Sequence, residues 1–251
     1  MADGLRTTLG RWLGPLLLAA CGAAFAGGNA LPEPLSTFSA TYRLTNGSIR
    51  LGTTNISLQP HAAGWRYRSV TEADGLVGLF VSGQAVDSTL LERHGDRLRP
   101  TAYRHTEPDD EDNVRVDFDW TAGRARIRDN AGQRTLDLAD DTVDGFSATL
   151  TLIRALAQGR ERIRIPTIDD QGERETLMFR AAGRERIEVP YGTYDAVRVD
   201  RVREDKDRAT ITWLAPALDW VALRIDQRED GELAGRLELL ELRGAAAGGD
   251  G

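Results

Sequence analysis

Cysteine is nearly absent from this chain of 251 residues. Cys21 is the only one, so no disulfide can form within the chain and no Cys-based metal site can assemble. Histidine is almost as scarce. His61, His94 and His105 each sit near an expected turn or strand end with no second His or Cys at ligand spacing, which argues against a transition-metal centre. Lysine occurs once, as Lys206, and the arginines are interleaved with Asp and Glu in a chain of net charge −7. Without a basic block there is no footprint for nucleic acid. No stretch after the N-terminus approaches the roughly 20 apolar residues of a membrane-spanning helix. Neither G-x-G-x-x-G nor a P-loop occurs, so no nucleotide cofactor is implied, and no other cofactor is suggested.

What is present begins with a targeting pattern. Arg6 and Arg11 precede a short apolar stretch from Trp12 to Ala24, and Ala24-Phe25-Ala26 has the small-x-small form of a signal-peptidase site. Cleavage after Ala26 would release a periplasmic protein. Leu18-Ala19-Ala20-Cys21 also has the form of a lipobox, so lipidation at Cys21 and anchoring as a lipoprotein is the alternative. Residues 27–35 read as a lead-in, 36–243 as one domain, and the Gly/Ala-rich 244–251 as a tail with no reason to order.

The mature sequence reads as strands around one helix. Roughly fifteen alternating segments, separated by turn signals such as Asn46-Gly47 and Asp230-Gly231, imply an antiparallel all-β sheet rolled into a barrel or half-barrel. Residues 144–158 supply the helix: Asp144 can cap free amides, Gly159 can take the left-handed conformation that ends it, and Phe146, Leu150, Ile153 and Ala157 form an apolar row. Residues 76–81 form a short apolar run, either a strand or a loop at the barrel mouth. The best patterned hairpin runs from Val114 to Asp129. A turn centred on Ala122-Gly123 would set Trp120 opposite Ala125, Phe118 opposite Ile127, Asp119 opposite Arg126 and Asp117 opposite Arg128.

No catalytic set emerges. Gly145-Phe146-Ser147 lacks the second glycine of a nucleophile elbow, since Thr149 stands in its place. The acidic run 109–112 lacks the Gly and distal Glu of a calcium loop. Carboxylates alternate with Arg as solvent-facing strand residues do, so none is singled out as a hydrolytic pair. Arg154 needs a carboxylate, carbonyls or a ligand anion on a mostly apolar helix.

Several segments in order resemble the bacterial envelope family catalogued as domain of unknown function 3108. They are Phe38-Ser-Ala-Thr-Tyr42, Leu98-Arg-Pro-Thr-Ala-Tyr103, Asp144-Gly-Phe-Ser-Ala148 leading into a helix, Gly183-Arg-Glu-Arg-Ile-Glu-Val-Pro-Tyr-Gly-Thr-Tyr194 and Ile211-Thr-Trp213. The resemblance implies a signal-bearing, mostly β envelope protein without an assigned activity. One element is altered, with Tyr194 where the hairpin often carries Phe. The reading that follows is a non-enzymatic protein with an apolar cleft for a lipid or other hydrophobic molecule, contacted by Arg154 and by Trp65, Phe118, Trp120 and Trp213 on inward faces. A structural module that binds an envelope protein is the alternative. A hydrolase built on a carboxylate pair is a third.

Overall fold

Alternation of small or apolar residues with charged ones, repeated between tight turns, produces, among the described residues, a single sheet of fifteen strands. The computed structural model describes residues 36–74, 83–95, 97–107, 113–203 and 207–244. The signal-like segment, the apolar run 76–81, the acidic run 109–112 and the tail from 245 lie outside them. The first half comprises β1 (Phe38–Asn46), β2 (Ile49–His61), β3 (Gly64–Ala73), β4 (Gln84–His94), β5 (Arg97–Thr106), β6 (Val114–Asp119), β7 (Arg124–Asp129) and β8 (Gly132–Asp137). A two-residue β9 (Val143–Asp144) leads to helix α1 (Ala148–Ala157). The second half comprises β10 (Arg162–Ile168), β11 (Arg174–Val189), β12 (Gly192–Val202), β13 (Arg208–Ala215), β14 (Val221–Glu229) and β15 (Glu232–Gly244).

Each half is a meander, and pairing of β1 with β15 joins them, so β8 and β9 are the two edges. All the ladders are antiparallel except β9 with β10. The chain passes from one edge to the other through residues 138–142 alone, a span of at most about 20 Å when extended. The sheet has therefore curled until its edges face each other. Among the described residues the seam carries polar contacts rather than a ladder: Arg134 Nη2 donates to the Gln171 carbonyl at 2.7 Å, and Arg174 Nη2 to that of Asp137 at 2.6 Å. Gly172 makes this approach possible. At φ 73° a side chain there would be strained, and its Cβ would lie 2.5 Å from the Ile127 side chain.

The helix is shorter than the apolar pattern implies. It starts at Ala148 because Val143–Asp144 join β10 as a strand and Asp144 spends its carboxylate on the following turn, accepting from the Ser147 N–H at 2.8 Å and hydroxyl at 2.6 Å. Gly159 (φ 78°) ends it as its sequence position suggests. Phe146, fully buried, stacks on Tyr67 of β3 with ring centroids 4.2 Å apart, so the entry to α1 crosses the interior to the opposite half of the sheet. The same core cluster contains Tyr42, Ile56, Leu58, Ile127 and Ile165, all essentially without solvent contact.

The Val114–Asp129 hairpin keeps its faces but not its register. Phe118 pairs with Ala125, Val116 with Ile127, Asp117 with Arg126 and Asp119 with Arg124. Asp119 accepts the Ala122 N–H at 3.0 Å, closing a turn that takes in Trp120 and shifts every pair by two residues. A two-residue slip preserves the pleat, so Phe118 remains buried while Trp120 leaves the ladder.

Candidate functional site

On the inner face of β3–β5 the expected apolar positions are taken by polar groups. Asp87 of β4 and His105 of β5 are cross-strand partners, and Tyr103 stands two residues before His105 on the same face. The Asp87 Oδ1 accepts from the Tyr103 hydroxyl at 2.7 Å and contacts His105 Nδ1 at 2.9 Å. The other ring nitrogen, Nε2, meets Glu107 Oε1 at 3.1 Å. All four side chains are buried. From the far edge of the sheet Asp144 reaches the same wall, accepting from the Thr89 hydroxyl at 2.8 Å.

Electrostatics follow from burial and partners. Burial opposes a charge on His105, but its hydrogen bonds to Asp87 and Glu107 outweigh that effect and push its pKa up to about 10, so the ring is an imidazolium at neutral pH. Burial pushes Asp144 up to about 6 against the bonds it accepts from Ser147 and Thr89. Asp170, on the β10–β11 turn, is also pushed up to about 6 by burial, with the His105 charge opposing the shift. Burial and the neighbouring Asp87 keep the Tyr103 phenol protonated. With both imidazole nitrogens engaged by carboxylates, His105 has neither a lone pair for a general base nor a free nitrogen to orient a nucleophile. The network locks charge inside the sheet. Among the described residues no group of three or more His, Cys, Asp and Glu has the arrangement of a metal site.

Three of the sequence candidates lie along one end of the same half. Trp65, Leu91 and Pro100 stand side by side on β3, β4 and β5, and the Trp120 indole N–H donates to the Pro100 carbonyl at 2.7 Å. Phe118 stacks on Trp120 at 5.9 Å. Arginines flank this rim: the Arg93 guanidinium lies 5.7 Å from the Trp65 ring and that of Arg99 5.1 Å from Trp120. Arg154 is not there. It is half-buried in the last turn of α1, which packs on β10 in the other half of the sheet.

Trp213 departs furthest from expectation. Its cross-strand neighbours are Arg198 and Arg224, while the adjacent Thr212 pairs with Val199 and Ile225 on the apolar face. The indole therefore sits on the charged face, donating to Glu185 at 2.7 Å with the Arg224 guanidinium 4.1 Å away. It is 4% exposed because arginine side chains lie across it. Asp226, 1% exposed on the same face, accepts from Nε and Nη2 of Arg236, each at 2.8 Å.

Sequence reasoning missed the cluster of Asp87, Tyr103, His105, Glu107 and Asp144, having weighed His105 only as a metal ligand and Asp144 only as a helix cap. A signal existed for the first four: Ala85-x-Asp87-x-Thr89-x-Leu91 and Tyr103-x-His105-x-Glu107 put ionisable groups in register with apolar ones on a single face.

A family model described as "Protein of unknown function (DUF3108)" matches residues 37–236. A search of curated proteins gives no match. Among solved structures, a β-barrel-like protein of domain of unknown function DUF1849 from Brucella abortus aligns with a TM-score of 0.52 at 15% identity, covering 84% of this chain and 98% of the other. This is a likeness of fold. MucB in complex with MucA(peri) aligns with a TM-score of 0.36 at 13% identity, over 86% of this chain and 52% of that one.

Proposed function

Because the chain belongs to the DUF3108 family, whose description carries no activity, we propose from the geometry that it is a non-catalytic binding protein of the cell envelope. Its ligand is amphipathic, with an apolar chain against Trp65, Phe118 and Trp120 and an anionic head at Arg93, beside Arg99, which donates to Glu92 at 2.6 Å. The observation that supports this reading is the rim itself, where two tryptophans each have a guanidinium over the ring. The signal-like N-terminus supports the location, with release after Ala26 or anchoring at Cys21 as its two forms. Sequestration of His105 between two carboxylates speaks against hydrolysis.

Native mass spectrometry of protein purified from the envelope is the test, paired with titration of a fluorescent anionic lipid. A bound mass that disappears in Trp65→Ala/Trp120→Ala supports the reading. Bare protein and no titratable binding would overturn it, and a reproducible crosslink to an envelope protein without lipid would favour an interaction module.

A further inference from the structure

Arginines on the outer face of the first half, exposed except for the half-buried Arg68, fall into register across strands. One row, set by successive cross-strand pairs, runs Ser57, Arg68, Ser88, Arg104, Arg115, Arg128 and Gln133 from β2 to β8. The row beside it contains Arg66, Leu90, Ala102, Asp117 and Arg126. These two rows hold six arginines and one aspartate in a chain of net charge −7, and other acids of the face, Glu72, Asp119 and Asp137, lie beyond them. Asp117 is engaged by Arg115 at 2.9 Å. Among the described residues Arg66, Arg68, Arg104, Arg126 and Arg128 have no carboxylate in salt-bridge contact, whereas the arginines around Asp226 and Asp200 on the second half are paired.

Arg104, Arg115 and Arg128 stand directly opposite one another on adjacent strands about 4.8 Å apart, an arrangement that costs stability through like-charge repulsion. Asp117 offsets the Arg115 charge alone, and the partners of Arg128 and Arg66 are the uncharged side chain of Gln133 at 3.2 Å and the His61 ring at 3.0 Å, so most of the positive charge of these rows lacks an internal counter-ion, which points to an external one. From this charge complementarity we propose that the β3–β7 outer face docks on an anionic membrane surface, with the arginines on lipid phosphates and the serine hydroxyls between them. A two-dimensional field of guanidinium groups fits a plane of headgroups better than the line of acids on an extended peptide. Among the described residues the exposed large hydrophobics, Ile49 and Val202, lie outside the two rows, so the contact these rows make is electrostatic. This inference does not depend on the lipid-binding rim.

The experiment is vesicle co-sedimentation of the purified protein carrying Cys21→Ser, so that no acyl anchor contributes. Phosphatidylcholine vesicles are compared with phosphatidylcholine/phosphatidylglycerol vesicles. Binding is expected only to the anionic vesicles, and it should weaken at least about ten-fold between low and high salt. Arg104→Gln/Arg126→Gln/Arg128→Gln should weaken it at least about ten-fold, while the charge-matched control Arg162→Gln/Arg164→Gln/Arg184→Gln should change it less than about two-fold. Far-ultraviolet circular dichroism establishes that both variants are folded. Equal losses in the two triple variants, or equal binding to neutral vesicles, would overturn the proposal. So would polyglutamate displacing the protein from vesicles at equal charge concentration, which would assign the face to an acidic protein.

Discussion

Replacing His105 with Gln removes a buried cation from between two buried carboxylates, and the structure sets the size of the effect. The side chain is 4% exposed and contacts Asp87 and Glu107 through its two nitrogens at 2.9 and 3.1 Å. Displacement of its pKa from 6.5 to about 10, at about 1.4 kcal/mol per pH unit, corresponds to about 5 kcal/mol favouring the charged, folded form. Breaking one partner out of a buried ion pair independently suggests about 3–5 kcal/mol. Because the folded-state pKa is raised, this contribution is complete below about pH 6.5 and disappears as pH rises through about 10. His105→Gln should therefore lower unfolding free energy by about 3–5 kcal/mol at pH 6, and the gap to wild type should narrow steadily towards pH 10. Urea unfolding followed by tryptophan fluorescence across that range measures both quantities. Adding Glu107→Gln should recover part of the loss by removing one stranded charge. A loss below about 1 kcal/mol, or a gap that does not change with pH, would refute the assignment of His105 as the cation holding this wall together.

Asp144 responds in a different window: its folded pKa of about 6 exceeds the ordinary 3.8, so wild-type stability should fall as pH rises from about 4 to about 6. Asp144→Asn should reduce that slope in urea midpoints taken across the interval. Gly172→Ala should cost about 1–3 kcal/mol and speed hydrogen exchange in β8, since its Cβ would press on Ile127 and Arg134 where the sheet edges meet. Trp213→Ala should cost about 3–5 kcal/mol in thermal or urea unfolding although the ring lies on the charged face, because it is fully covered. Trp120→Ala, at the half-buried turn, should cost clearly less, about 1–2 kcal/mol.

Short-range patterns were legible without coordinates. Alternation gave the strands, Asn46-Gly47 and Asp230-Gly231 gave turns, and Gly159 gave the end of α1. Even the misread hairpin kept Phe118 inward, because a slip of two residues leaves the pleat unchanged. These features depend on a few neighbouring residues, which is the range over which backbone preference and side-chain period act.

Tertiary structure alone decided the rest. Whether Trp213 faced in or out depended on its pairing with Arg198 and Arg224, residues from two other strands. The acid wall depended on curvature: Asp144 lies at one edge of the sheet and Thr89 on the fifth strand from the other, and only the rolled sheet sets them 2.8 Å apart. A carboxylate on a strand looks the same in sequence whether its face meets water or another half of the sheet. Its pKa, and so its role, follows from the groups that long-range folding brings to it.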